Sequence, residues 1–218
     1  MAKSRQKIQQ QGFWDEEVLQ PDHDAICLWA LRNAEQLLRM TKPELYGGTW
    51  CDAELDELRR DLKEDAKHTY QYDLDGTVSM LEEFARTTPK PFPAIETPRL
   101  EYVLRNDRGI VGYGDLFVKF SLPTIHPIRA ERKSYNDQPS GFQVLSTRYG
   151  ALLVEAKSRI TTIGELMRQI NLYRTAFDDR EFPNRTIVVL SPDDRFANDL
   201  LGQGVKFVRF EPSWLYAA

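Results

Sequence analysis

Three stretches of the chain place charged or polar side chains where chemistry could use them. Asp115 interrupts GYGDLFVKF (112–120), a strand pattern with Tyr113 and Phe117 on one side and Leu116 and Val118 on the other. A carboxylate isolated between two apolar faces is costly unless it is paired or holds a cation. GALLVEAKSR (150–159) is apolar until Glu155 and Lys157. Strand residues two apart share a face, so this carboxylate and this ammonium face the same space, with the Ala156 carbonyl between them. Gln169 and Tyr173, four apart in TTIGELMRQINLYRTAF (161–177), lie on one side of a helix.

Phosphodiester hydrolysis calls for such a set. A hard cation neutralises the phosphate and activates a water, and Mg²⁺ takes oxygen ligands while keeping several waters. Asp115, Glu155 and the Ala156 carbonyl make a suitable partial shell, in which Mn²⁺ is expected to substitute. Lys157 beside them can orient the attacking water or offset charge that develops in the transition state. The Gln169 amide and the Tyr173 phenol are expected to reach a nucleic-acid backbone, with Arg159 and Arg168 as further contacts. Each piece also has an ordinary reading. Glu155 and Lys157 could form a surface pair at a fraying strand end, and Tyr173 fits as a core residue. The order of the pieces along the chain favours the chemical reading.

The elements that must position these residues follow from periodicity. HDAICLWALRNAEQLLRM (23–40) repeats apolar residues three and four apart, which predicts a helix ending before Pro43. DAELDELRRDLKEDAKH (52–68) predicts a charged helix with Leu55, Leu58 and Leu62 as a narrow apolar stripe, and GTVSMLEEFART (76–87) a third. The proline-rich stretch 87–98 predicts an extended connector. Then the period changes to two. Residues 99–105 and 110–120 predict a hairpin through NDRG. A long loop is expected over 122–141, and a second hairpin or one bent strand to Lys157. Helix 161–177, strand 185–191, a short helix and strand 205–210 close the chain. The expectation is an α/β fold with a mixed sheet, flanking helices and a helical N-terminal extension over residues 1–75, followed by a core over 76–218.

Composition bounds the rest. The 218 residues carry a net charge of −4. Residues 1–98 hold 12 basic and 19 acidic side chains, and residues 99–218 hold 17 and 14, a split of −7 and +3. The mildly basic second part suits a phosphate backbone, and the acidic N-terminal helices suggest a protein partner. No apolar run approaches the ~20 residues of a membrane span, and the polar N-terminus lacks a signal-peptide core. A cytoplasmic protein without membrane contact is expected. Cys27 and Cys51 form no CxxC pair, and His23, His68 and His126 are read as having no helically spaced partner, too few ligands for a zinc site or an iron–sulfur cluster, so both cysteines are expected to be reduced and structural. Trp14, Trp29, Trp50 and Trp214 are expected in cores or interfaces. His126, Arg129, Arg132 and Lys133 are expected in the solvated loop, the three cations either as phosphate contacts or as ordinary solvated side chains.

The succession GYGD, a gap of about 40 residues, LVEAK and then QINLY resembles the PD-(D/E)XK nuclease superfamily, and Gln-x-x-x-Tyr on the following helix is similar to its RecB-like branch. The likeness covers roughly residues 76–191. It implies a restriction-endonuclease-like α-β-β-β-α-β core, metal ligands Asp115 and Glu155, a catalytic Lys157, Gln169 and Tyr173 near the substrate, and DNA as that substrate. It also implies an acidic ligand from the helix before the first strand, for which Glu82 is the candidate. Gly114 stands where the superfamily's name has proline, and the cysteines of the iron–sulfur subgroup are missing. Some relatives lose cleavage and keep binding, so a catalytically inactive module within a nucleic-acid-processing complex is the alternative.

Overall fold

The computed structural model describes residues 21–68, 72–129, 138–177, 182 and 184–215. Trp14, Arg132 and Lys133 lie outside them. The segment read as one helix over 23–40 is two, α1 (Pro21–Arg32) and α2 (Ala34–Thr41). The break falls at Asn33, whose side-chain amide donates to the Trp29 carbonyl at 2.9 Å. Such local side-chain bonds compete with the helical ladder, an effect that apolar periodicity conceals. α3 (Asp52–His68) has the expected bounds. α4 (Leu74–Thr87) starts at Asp73, whose carboxylate accepts from the Gly76 amide at 2.9 Å. α5 (Ile163–Ala176) is capped by Thr162, and α6 (Ala197–Gly202) follows later.

The strands are β1 (Ala94–Ile95), β2 (Arg99–Asn106), β3 (Gly109–Ile128), β4 (Gly141–Ala156), β5 (Asn184–Ser191) and β6 (Lys206–Arg209). Among the described residues they form one mixed sheet in the order β1-β3-β4-β5-β6, with β2 also paired to β3. β2 and β3 are antiparallel, from Arg99↔Phe117 to Asn106↔Gly109. β4–β5 and β5–β6 are parallel. The loop expected over 122–141 does not hold at its two ends, because β3 runs on to Ile128 and β4 starts at Gly141. Pro123 and Pro127 read as breakers, yet Pro123 and Ile125 are buried alternately with less buried neighbours, a strand pattern that the prolines mask. β4 is one long strand and not a second hairpin. The proline-rich connector contributes β1.

The chain divides into two compact units. The first comprises the described residues of 1–43, 95–120 and 149–218, and the second those of 44–94 and 121–148. The position between residues 75 and 76 therefore falls inside the second unit. There α3 and α4 enclose a small core in which Leu62, Leu81, Ile125 and Phe142 are buried. Each such side chain contributes roughly 1.5–3 kcal/mol. In the first unit, residues 151–154 of β4 and 188–190 of β5 are fully buried on both faces, which is why both strands read as unbroken apolar runs. One core joins Leu153, Val189 and Phe117 to Leu166, Ile170, Tyr173 and Phe177 of α5 and its end. Elsewhere in this unit Trp29 of α1 stacks on Trp214 at 4.6 Å and meets Phe210 edge-on.

Candidate active site

β3 reaches the site through GYGD, and the two glycines have a steric reason. A Cβ on Gly114 would sit 2.4 Å from Leu153 Cδ1, and one on Gly112 would sit 3.1 Å from Tyr173 Cε1. Hydrogen at both positions lets β3 lie close against β4 and α5, and Asp115 comes next in the strand. β4 delivers Glu155 at its buried end, after which the Lys157 amide donates to the Leu190 carbonyl at 2.9 Å. The turn beyond is pinned by Asp193, which accepts from the Ile160 amide at 3.0 Å, and by Arg195, which donates to the Ile160 carbonyl at 2.9 Å. α5 then starts on its Thr162 cap and carries Gln169 and Tyr173 back to the strand ends.

The side chains of Asp115, Glu155 and Lys157 converge. The Ala156 amide donates to Asp115 Oδ2 at 2.7 Å, tying the β3 carboxylate to the end of β4. Lys157 Nζ lies 3.1 Å from Glu155 Oε1. Glu155 is only 3% exposed and Lys157 9%, so they are not the surface pair that the ordinary reading required. Gln169 Nε2 donates to Glu155 Oε1 at 2.8 Å, and the Tyr173 hydroxyl lies 2.8 Å from Oε2 and 2.7 Å from the Tyr113 carbonyl. Gln169 Nε2 also bonds the Tyr173 oxygen at 2.5 Å. This revises the expected roles of Gln169 and Tyr173. Their polar atoms hold the Glu155 carboxylate, and Tyr173 is too deeply buried, at 2% exposed, to touch a nucleic-acid backbone.

Two carboxylates and one ammonium, largely out of water, leave an excess of negative charge. Burial, and then the Asp115 charge, push the Glu155 carboxyl up to about 7, against the opposing pull of Lys157 and Tyr173. A cation among these oxygens would relieve that repulsion, and the Asp115, Glu155 and Ala156 oxygens are donors of the hard type that Mg²⁺ takes.

Sequence reasoning missed two further groups. His23 and Cys27, one helical turn apart on α1, line the same cavity. His23 Nε2 lies 3.6 Å from Asp115 Oδ2, and Cys27 Sγ is 3.9 Å from the His23 ring nitrogens. Together His23, Cys27 and Asp115 could hold a metal ion. Burial disfavours a charged imidazole at His23, but the bond to Asp115 and the charges of Asp115 and Glu155 outweigh it, and the net shift is upward. Burial and the same two carboxylates raise the Cys27 thiol well above its usual range. The i, i+4 spacing of His23 and Cys27 was present in the sequence. Their approach to a residue about ninety positions away was not.

The cavity encloses about 890 Å³ and is also lined by Arg159, Thr161, Thr162 and Arg168. Arg159 and Arg168 are both exposed, as a phosphate contact requires. Glu82 is not among the lining residues; it is on α4 in the second unit, paired with Arg59 at 2.9 Å. His126 is not in a loop but in β3, 2.9 Å from the Thr147 hydroxyl, and Arg129 pairs with Asp65. On α3, Glu54, Glu57 and Asp65 pair with Lys90, Arg148 and Arg129 of their own unit. Much of the acidic character assigned to a protein partner is thus used within the unit. No described helix is long and apolar enough to cross a membrane. No family model, curated protein or solved structure matches the chain.

Proposed function

We propose that the protein is a divalent-cation-dependent nuclease that hydrolyses phosphodiester bonds in DNA in the cytoplasm, a PD-(D/E)XK enzyme of the RecB-like branch on a restriction-endonuclease-like sheet. The observation that carries this reading is the convergence of the half-buried Asp115 with the buried Glu155 and Lys157 at the wall of an open cavity. The succession β2, β3, β4, α5, β5 supports it as well, being the β-β-β-α-β part of that core's order.

Asp115, Glu155 and the Ala156 carbonyl would hold Mg²⁺ or Mn²⁺, with His23 beside Asp115. Bound there, such an ion would act as a Lewis acid and would lower the pKa of a coordinated water. The chain's own groups do the rest. Lys157 offsets charge on the attacked phosphate or orients the water. Gln169 and Tyr173 fix the Glu155 carboxylate, so its oxygens need not reorganise when substrate arrives. Arg159 and Arg168, exposed at the cavity, hold the DNA backbone.

Cleavage of plasmid and single-stranded DNA with Mg²⁺ or Mn²⁺ tests the reading. Lys157→Ala should lower the rate by roughly 10²–10³-fold, the usual loss for one transition-state contact. Metal-dependent cleavage that survives this substitution would remove the assigned site. DNA binding without any cleavage would leave the inactive binding module as the better reading.

A further inference from the structure

Cys27 has no use in a hard-cation site. Its sulfur is a soft donor, yet it stands beside an imidazole and a carboxylate that faces the cavity. Cys27 Sγ, a His23 ring nitrogen and an Asp115 oxygen all lie within 4.8 Å of one another. Tetrahedral zinc bonds sulfur at about 2.3 Å and nitrogen or oxygen at about 2.0–2.2 Å, so its ligand atoms lie about 3.3–3.6 Å apart. The sulfur–nitrogen separation here is 3.9 Å and the nitrogen–oxygen separation 3.6 Å. The sulfur–oxygen separation is within 4.8 Å, so movements of up to about an ångström would close the set. His23 and Cys27 are on one face of α1, where residues four apart are neighbours. The cavity leaves a fourth position for water.

We infer that His23, Cys27 and Asp115 form a second metal site, selective for thiophilic divalent cations such as Zn²⁺, whose occupation shuts down the hard-cation site by taking Asp115 from it. The selectivity follows from the donors. Thiolate and imidazole suit Zn²⁺, whereas carboxylate and carbonyl oxygens suit Mg²⁺ and Mn²⁺. The two sites share Asp115, so they compete. Cys27 binds as the thiolate, and its proton leaves to solvent as the metal enters. Inhibition rests on the nuclease reading; metal capture does not.

The test therefore has two arms. In the first, the full chain is titrated with Cd²⁺, a spectroscopic stand-in for Zn²⁺, and sulfur-to-metal charge-transfer absorption is recorded for wild type, Cys27→Ser and Cys51→Ser. The exposed Cys51 is the control. One equivalent should give the band in wild type and in Cys51→Ser, and Cys27→Ser should lose it while keeping its circular dichroism spectrum. If Cys27→Ser does not fold, His23→Gln replaces it and should weaken Cd²⁺ binding at least tenfold. A missing band in wild type, or one that survives Cys27→Ser, overturns the site. In the second arm, Mn²⁺-supported DNA cleavage is measured with added Zn²⁺, each variant against its own zinc-free rate. Wild type should lose at least tenfold and Cys27→Ser less than twofold. Equal inhibition of both overturns the competition. Absence of cleavage without zinc counts against the nuclease reading alone, because the first arm still reports on the metal site.

Discussion

Replacing Tyr173 by phenylalanine separates a residue that positions Glu155 from one that contacts DNA. The ring is fixed by packing, since Gly112 leaves it only the space of a hydrogen, so the variant loses an oxygen and little else. That oxygen lies within 2.8 Å of both Glu155 Oε2 and the Tyr113 carbonyl and accepts from Gln169. Its single proton serves one acceptor at a time, so the substitution removes one donated and one accepted bond. A hydrogen bond to a charged group is worth about 1.5–3 kcal/mol, and a buried group left without a partner costs about 1–3 kcal/mol. The expected loss is about 2–3 kcal/mol, which in a protein of this size lowers Tm by roughly 4–12 °C. Differential scanning calorimetry or urea unfolding of the metal-free protein measures it. A double-mutant cycle with Glu155→Gln should show coupling above ~0.5 kcal/mol, because the two side chains share a bond. In the positioning role, DNA affinity without metal stays within about twofold while metal binding weakens. An unchanged Tm, additive substitutions, or a loss confined to DNA affinity would refute this account of Gln169 and Tyr173.

Two further outcomes follow from the same geometry. The folded protein keeps a proton on Glu155 up to about 7, where an unfolded chain releases it near 4.5. Between these values the folded state binds more protons, so metal-free stability is highest below the lower value and falls as pH rises through the window. At ~1.4 kcal/mol per pH unit the fall is on the order of 3 kcal/mol; Glu155→Gln should abolish it, and equal urea-midpoint changes in both proteins between about pH 5 and pH 8 would contradict the assignment. Gly114→Ala should destabilise by about 1–3 kcal/mol, the usual range for overpacking, since the added methyl meets Leu153, which is fully buried; a variant as stable as wild type would show that β3 and β4 are not packed this closely.

Local pattern was enough for the regular elements. The leucine stripe of 52–68 and the apolar face of 163–177 each repeat with the helical period, and burial on both faces of β4 and β5 leaves unbroken apolar runs. Where one residue type sends two signals, the pattern misled. Pro123 and Pro127 read as a loop although β3 passes through them, and Asn33 divides a helix whose apolar spacing does not change. The core of the candidate site was legible for a chemical reason. Charges that end or interrupt apolar strands must be compensated, so Asp115, Glu155 and Lys157 stood out before any fold was known. Residue spacing also placed Gln169 and Tyr173 on one helix face, but it did not say what that face meets.

The sequence by itself singled out Asp115, Glu155, Lys157, Gln169 and Tyr173 and the strands and helix that present them, because both follow from near-neighbour spacing along the chain. Only the tertiary structure decided the partners. It aimed Gln169 and Tyr173 at Glu155, set Glu82 against Arg59, and brought His23 and Cys27 of α1 to Asp115. Those contacts join residues 14 to 92 positions apart, and they depend on how helices pack against a sheet, which no local period encodes.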